Sequence, residues 1–313
     1  MLNTSPTPQN VLDYHGNSTI FMVWNLQAGK DVKAVFKRLC ALIINLNHSA
    51  EVRFQDNSES CVMGIGHDAW LQLYLPTPLP KELETFAPIV GAKYTAVSTK
   101  GDLHFHIRSF NNWGICLDMA AAISVVLEPV AVCVDEVHGL RYWDGRSIFG
   151  FVDGTENPHG RERRAYFGLI GDSDPVYKGG SYLFVQKYIH DLKAFNALSL
   201  PEQEAVFGRH KLSDVEMPDD VKPKNSHSAA ANVGDDFKVI RDNMPFGNMS
   251  NNEMGTYFIA YASTFSTVKK MLDKMFIGDP SGNYDRLLDF SAAKTGSLFF
   301  VPTLDMLDDF SSE

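Results

Sequence analysis

The sequence predicts an α+β protein made of two ferredoxin-like halves, each with an antiparallel sheet and peripheral helices. The chain has 313 residues, 44% of them hydrophobic and 21% charged, which is enough apolar material for one large core or for two cores side by side. Two series of predicted elements of similar order and length follow one another, although no residue-level repeat is evident. We therefore divide the chain into residues 1–145 and 146–313.

The first half opens with the apolar, strand-forming run TIFMVWNL at residues 19–26. A Gly-Lys-Asp break separates this run from a helical pattern at residues 31–47. Two further strand-like runs, a helix and a last strand follow at residues 60–66, 102–109, 111–126 and 131–140. The order strand, helix, two strands, helix, strand is that of a ferredoxin-like half.

The second half repeats this kind of pattern less regularly. Its strand-like runs include SYLFVQKYI after Gly180, GTYFIAYAS at residues 255–263 and SLFFVP near the end, with helical stretches between them. Neither a helix pattern nor a strand pattern accounts for two segments, residues 149–164 and 214–248. We expect the functional side chains to lie in these two segments.

Composition and charge exclude several classes of protein. With 28 basic and 38 acidic residues the net charge is -10, which disfavours a nucleic-acid partner. The polar N-terminus lacks the basic start and apolar run of a secretory signal, and no apolar run approaches the ~18 residues of a membrane span. We expect a cytoplasmic protein without a membrane partner. The four cysteines, Cys40, Cys61, Cys116 and Cys133, form no CxxC pair or other metal-binding spacing. We expect them to be buried, reduced thiols.

Each of the two irregular segments contains a motif. The first reads FGFVDGTENP at residues 149–158, and its Asp-Gly pair between apolar residues is by itself a hairpin signal. The second, at residues 222–247, places His227 among small residues. A single His in such a stretch is more often structural than ligating. However, the small residues 228–231 would let a flat macrocycle lie close to the backbone, as a haem ligand requires.

With the stretch NYDRLLDFSAAKTGSLFFVP at residues 283–302, these motifs resemble the dye-decolorising peroxidases, specifically their compact bacterial branch. The resemblance extends from near Ile20 to near Val301, with four motifs in the family's order. It implies a peroxidase with one haem b per chain that reduces hydrogen peroxide and oxidises an organic reductant such as a bulky dye. It also implies a homo-oligomer.

The resemblance assigns the proximal side of the haem to two residues. His227 matches the iron ligand, which makes it the metal-binding residue. Asp289 matches the carboxylate that accepts the other ring N–H of that His, although Asp285, four residues earlier, competes for this role. A carboxylate in this position gives the imidazole anionic character and pushes electron density towards the iron.

On the distal side, the resemblance implies that Asp153, Arg241 and Asn243 are catalytic. Breaking the O–O bond requires a base that moves a proton between the two peroxide oxygens, which Asp153 can do. A fixed guanidinium can stabilise the charge on the departing oxygen, which suits Arg241. Whether Asp153 or Arg241 contributes more stays open. Phe258 is expected to pack over the distal face of the haem. Ordinary packing in the protein core would account for this phenylalanine nearly as well.

Other interpretations share part of this evidence. A haem carrier or iron-releasing protein would need only His227 and an apolar slot, whereas a peroxidase also needs Asp153 and Arg241. A ferredoxin-like interaction module would need no cofactor at all. If the chain is a peroxidase, the resemblance implies that electrons from bulky dyes enter through a surface Tyr or Trp, and among the 11 Tyr and 4 Trp we assign none.

Overall fold

The computed structural model of the chain describes residues 6–14, 16–54 and 59–312. Twelve strands lie within these residues. In chain order, β1 to β12 are Ser18–Leu26, Ser60–Gly66, Ile89–Val90, Thr95–Ala96, Leu103–Ser109, Ala131–Leu140, Ser181–His190, Ile240–Arg241, Met244–Asn248, Glu253–Ala262, Ser291–Ala293 and Ser297–Val301.

Nine α-helices and three short 3-10 turns connect the strands in this part of the chain. The helices α1 to α9 are Val32–Arg53, His67–Gln72, Trp113–Leu127, Arg161–Gly168, Leu192–Asn196, Leu200–Phe207, His227–Ala231, Phe265–Phe276 and Leu304–Ser312. The 3-10 turns are Asn10–Leu12, Pro175–Tyr177 and Arg286–Asp289.

The predicted α+β class and the ferredoxin-like halves are confirmed by the strand order. The first half has the order β6-β1-β5-β2, and the second has β12-β7-β10-β8, all antiparallel. In each half the first and third long strands are central neighbours, as in a split βαβ arrangement. The small elements α2, β3 and β4, inserted between β2 and β5, were not predicted.

The two halves form one ten-stranded sheet because β12 pairs with β2, with Phe299 opposite Gly66 and Phe300 opposite Ile65. The outer strands also approach each other. A Cβ added at Gly139 of β6 would lie 2.5 Å from the Met244 Cβ of β9. The predicted boundary between residues 145 and 146 lies between β6 and α4. The division into these two domains stays a prediction.

The two faces of the sheet are buried in different ways. Helices α1, α3 and α8 cover one face and build the larger core. The other face of the sheet encloses a second core, in which side chains of both halves meet, including Phe21 and Val137 from the first and Ile259 and Tyr261 from the second. Because strands β2 and β5 lie inside this arrangement, every one of their residues is buried.

Two further expectations concern the surroundings of the core. All four cysteines are free; three of them are buried, whereas Cys133 is only half-buried. None of the described helices is long and apolar enough to cross a membrane.

Candidate active site

A deep cavity opens in the second half of the chain, with an empty volume of about 1410 Å³ including its mouth. The walls of the cavity include residues from the two irregular segments, 149–164 and 214–248. They also include residues of α8 and of the turn at residues 285–288. Most of the surface is apolar, with methionine, leucine and phenylalanine side chains from these elements. Such a cavity suits a large, flat, mainly apolar ligand.

His227 is the first residue of the short helix α7 and lines this cavity. Its position depends on Gly208, which ends helix α6 in the left-handed conformation with φ +77°. A Cβ at residue 208 would lie 2.5 Å from the hydroxyl oxygens of both Ser226 and Ser228. The glycine therefore lets the two residues that flank His227 pack against the end of α6.

The carboxylate beside His227 belongs to Asp285. Its Oδ2 accepts a hydrogen bond from His227 Nδ1 at 2.7 Å, and its Oδ1 accepts one from the Leu287 amide at 2.9 Å. The Asp285 carboxylate is fully buried, while the His227 side chain is 27% exposed. Since a carboxylate only accepts hydrogen bonds, Nδ1 carries the proton and the other ring nitrogen, Nε2, is left for a ligand.

The assignment of Asp289 to this role was therefore wrong. The 3-10 turn at Arg286–Asp289 directs the two carboxylates to different partners. Asp289 Oδ1 accepts hydrogen bonds from Lys93 Nζ at 2.6 Å and from the hydroxyls of Tyr94 at 2.7 Å and Tyr284 at 3.1 Å. Partial burial pushes the pKa of Asp289 upward, but these three hydrogen bonds lower it overall.

A second histidine, His190, lines the same cavity but cannot compete as a ligand in this conformation. Its Nδ1 is hydrogen-bonded to the Ser291 hydroxyl at 2.6 Å and its Nε2 to the Thr256 hydroxyl at 2.9 Å. Burial lowers the pKa of His190 to about 3, so the ring is neutral. His227 thus differs from His190 in having one ring nitrogen without a partner among the described residues.

The structure brings Asp153, Arg241 and Asn243 together at the cavity, as the sequence predicted. Asp153 Oδ2 accepts a hydrogen bond from Asn243 Nδ2 at 3.1 Å, and Oδ1 accepts one from the Gly154 amide at 2.7 Å. The Asn243 carbonyl oxygen accepts a hydrogen bond from the amide of Ile259 on β10 at 3.1 Å. Asn243 therefore fixes the Asp153 carboxylate to the sheet.

The backbone of Arg241 is anchored by the side-chain amide of Asn157, which donates to the Arg241 carbonyl and accepts from its N–H, both at 2.8 Å. Two other cations of the cavity wall are bound to carboxylates, Arg209 to Asp214 and Lys238 to Glu156. No carboxylate within residues 6–14, 16–54 and 59–312 forms an ion pair with Arg241. Its guanidinium charge is therefore available to a ligand.

A second cavity, with an empty volume of about 890 Å³, adjoins the first. Both cavities are lined by Asp153, Arg241 and Asn243. These three side chains therefore stand between the two cavities.

Phe258 lines the first cavity as expected, and its half-buried ring also lies 6.4 Å from that of Phe184 in the core. Two features of the site were not predicted from the sequence: the hydroxyls of Thr256 and Ser291 that bind His190, and the cavity wall formed by helix α8. The 3.6-residue spacing of apolar residues in α8 indicates a buried face, but nothing in that spacing distinguishes a cavity wall from a packed core.

Comparison with known proteins shows the family of the chain. Residues 8–141 match the family described as Dyp-type peroxidase, N-terminal, and residues 144–306 match Dyp-type peroxidase, C-terminal. The chain belongs to the Dyp-type peroxidase family. It is 46% identical to the dye-decolorizing peroxidase of Rhodococcus erythropolis, over 96% of this chain and 88% of that protein.

Solved structures of similar proteins have the same fold. The crystal structure of a dye-decolorizing peroxidase from Bacteroides thetaiotaomicron is 52% identical and superposes with a TM-score of 0.94, covering 98% of this chain and 99% of that one. A DypB variant from Rhodococcus jostii, solved in complex with heme, is 42% identical with a TM-score of 0.89, over 97% and 99% of the two chains. The encapsulated DyP-type peroxidase from Mycobacterium smegmatis is 44% identical with a TM-score of 0.91, over 97% and 98%.

Proposed function

We propose that the large cavity binds one haem b through His227 Nε2 and that the chain uses hydrogen peroxide to oxidise organic reductants, including bulky dyes. The chain is a haem-dependent peroxidase by its family. The observation that carries the site assignment is the hydrogen bond of His227 Nδ1 to buried Asp285, which leaves the second ring nitrogen for iron. The apolar walls and the size of the cavity fit a porphyrin.

Asp285 determines how His227 binds. By accepting the Nδ1 proton, its carboxylate fixes the tautomer and the orientation of the ring. The negative charge also makes the imidazole a stronger electron donor towards iron. Because Asp285 is buried and its other oxygen accepts the Leu287 amide, the carboxylate is held in place by the chain itself.

A haem bound in the cavity would supply the electrons that reduce the O–O bond of the peroxide. Asp153 takes the proton from one peroxide oxygen and returns it to the other, with Asn243 holding its Oδ2 in position. Arg241 stabilises the negative charge on the departing oxygen through its unpaired guanidinium. Peroxide can reach these residues through the second cavity.

Haem carriage without oxidation is not favoured. A carrier needs an apolar slot and one ligand, but it has no use for a carboxylate held by Asn243 beside an unpaired guanidinium at the same cavity. Asp153, Arg241 and Asn243 are half-buried and line one cavity, an arrangement typical of a catalytic site. Their convergence therefore supports the peroxidase.

We further propose a cytoplasmic location and a homo-oligomeric assembly. The similar protein from Mycobacterium smegmatis is described as encapsulated, and for this chain an assembly with itself is the simplest proposal.

The experiment is to load the purified protein with haem and mix it with one equivalent of hydrogen peroxide in a stopped-flow spectrometer. We expect the haem absorption to change rapidly and to return when a dye is added, while the dye bleaches. An absorption spectrum that stays unchanged while haem remains bound would instead support the carrier.

A further inference from the structure

A buried group of polar side chains lies in the second core, outside the cavity walls. Tyr261 on β10 is hydrogen-bonded to Nδ1 of His106 on β5 at 2.8 Å. His106 Nε2 faces Oδ2 of Asp242 at 3.4 Å. Both Tyr261 and His106 are 0% exposed, and Asp242 is 2% exposed. Three groups that can move a proton are therefore aligned away from water.

The direction of the Tyr261 hydrogen bond follows from the ring of His106. Because Nε2 faces a carboxylate, the neutral ring carries its proton on Nε2. Nδ1 is then an acceptor, and the Tyr261 hydroxyl donates to it. Burial raises the pKa of Tyr261, so the phenol does not release its proton by simple ionisation.

Charged side chains lie around the ring of His106. Asp242 lies beside the ring and also accepts a hydrogen bond from Arg108 Nη1 at 3.0 Å. Asp13 faces the same guanidinium at 3.7 Å, and Arg164 interacts electrostatically with both carboxylates. Two guanidiniums are thus faced by two carboxylates, and an imidazolium at His106 would lie directly against Asp242.

Tyr261 lies close to the peroxide side of the site. It pairs with Ile240, the residue before Arg241, and Phe258 of the cavity wall lies three residues earlier on the same strand. Three residues of a strand span about 10 Å. Phe258 and Tyr261 therefore lie about 10 Å apart along β10, on opposite faces of the strand.

We propose that Tyr261 is an internal one-electron donor of the peroxidase, with His106 as its proton acceptor. This inference rests on the proposed function, since the oxidant is the one that peroxide reduction produces. One electron leaves the Tyr261 phenol for that oxidant, and the phenol proton moves to His106 Nδ1. A neutral tyrosyl radical and an imidazolium against Asp242 result. An electron from the organic reductant reverses the step, and the proton returns to the phenol oxygen.

Tyr257 provides a matched control. It lies four residues earlier on β10, on the same face, and its side chain is equally buried. Its ring stacks on Phe21 at 4.2 Å, as the ring of His106 does at 5.0 Å. However, its hydroxyl has no hydrogen-bond partner among the described residues. If a proton acceptor decides which tyrosine is oxidised, Tyr261 and not Tyr257 gives up the electron.

The test is electron paramagnetic resonance of the haem-loaded protein, frozen shortly after mixing with hydrogen peroxide. We expect a tyrosyl radical in the wild type, recognised by the narrowing of its spectrum when the tyrosines carry deuterated rings. The signal should be lost in Tyr261→Phe and kept in Tyr257→Phe. A signal that survives in Tyr261→Phe, or that Tyr257→Phe removes, would overturn the proposal.

A second measurement needs no substitution and covers the case in which Tyr261→Phe does not fold. In the wild type, the radical should show a coupling to one exchangeable proton, which disappears after equilibration in D2O, because the proton lies on His106 Nδ1. A radical without this coupling contradicts the assignment. If the haem spectrum responds to peroxide but no tyrosyl radical forms, only this inference fails, whereas an unresponsive haem spectrum rejects the proposed function and the inference with it.

Discussion

His227 Nδ1 lies 2.7 Å from Oδ2 of Asp285, a carboxylate with no exposed surface. This pair decides which nitrogen of the ring is left for iron and how strongly the ring donates electrons. Asp285→Asn keeps the size of the side chain but removes its charge. We expect the haem reduction potential to rise and the peroxide reaction, measured per bound haem, to slow by about 10- to 100-fold.

Asp289→Asn is the matched control for that substitution. It makes the same chemical change four residues further on, where the carboxylate binds Lys93, Tyr94 and Tyr284 instead of the histidine. We expect the haem reduction potential to stay at the wild-type value. Equal shifts in the two variants would show that the partner of His227 has been misassigned.

Arg241 supplies a cavity-lining guanidinium that forms no ion pair with a carboxylate within the described ranges. Removing the charge in Arg241→Leu should lower the rate of peroxide cleavage by about 10²- to 10³-fold, the cost of losing a donor that stabilises developing charge. Arg241→Lys should lie between the leucine variant and the wild type. A stopped-flow measurement of the haem spectrum at several peroxide concentrations tests this, and a wild-type rate in Arg241→Leu would reject the role.

Asp153 is the proposed proton carrier between the two peroxide oxygens. Asp153→Asn retains an oxygen that can face Asn243 but no longer has a basic carboxylate, so the cleavage rate should fall by about 10²- to 10⁴-fold. Comparing this loss with that of Arg241→Leu, in the same assay, decides which residue contributes more. If Asp153→Asn cleaves peroxide as fast as the wild type, another group carries the proton.

The stability of the protein should depend on pH through His104. Neither ring nitrogen of this buried residue has a hydrogen-bond partner in the part of the chain that the structure describes, and burial lowers its pKa from 6.5 to about 3. The unfolded chain binds a proton below about pH 6.5 while the folded chain does not. The contribution of neutral His104 to the free energy of unfolding is therefore complete above about pH 6.5. It falls as the pH drops and stops changing near pH 3.

His104→Phe tests this dependence, because its neighbours Phe21, Tyr257 and Phe299 are aromatic. Between pH 7 and pH 5, the free energy of unfolding in urea should fall by about 2 kcal/mol more in the wild type than in the variant. Identical pH slopes in the two proteins would mean that His104 is protonated in the folded state.

The sequence predicted the class of fold for physical reasons, whereas the residues of the site were predicted from the resemblance to a family. Strand and helix periods within each half are local signals, and they suffice for the ferredoxin-like order of elements. The pairing of β2 with β12 joins residues more than 230 positions apart and has no local signal. The resemblance implied Asp153, Arg241 and Asn243, and the structure brings these three residues to one cavity.

The choice between Asp285 and Asp289 could not be made in the same way. Both are carboxylates in one short segment. Asp285 precedes the 3-10 turn Arg286–Asp289, and Asp289 is the last residue of that turn. Which of them faces His227 depends on that turn and on the backbone hydrogen bond from Arg286 N to the Asn225 carbonyl, at 2.9 Å. Such a tertiary contact leaves no trace in spacing or composition.

The central claim is that His227 Nε2 binds the haem iron, and the spectrum of the haem-reconstituted protein tests it most directly. His227→Ala should lose haem or show a changed iron coordination in its absorption and paramagnetic resonance spectra. His190→Gln, a change at the other histidine of the cavity, should keep the wild-type coordination. Full haem content and an unaltered iron spectrum in His227→Ala would contradict the account.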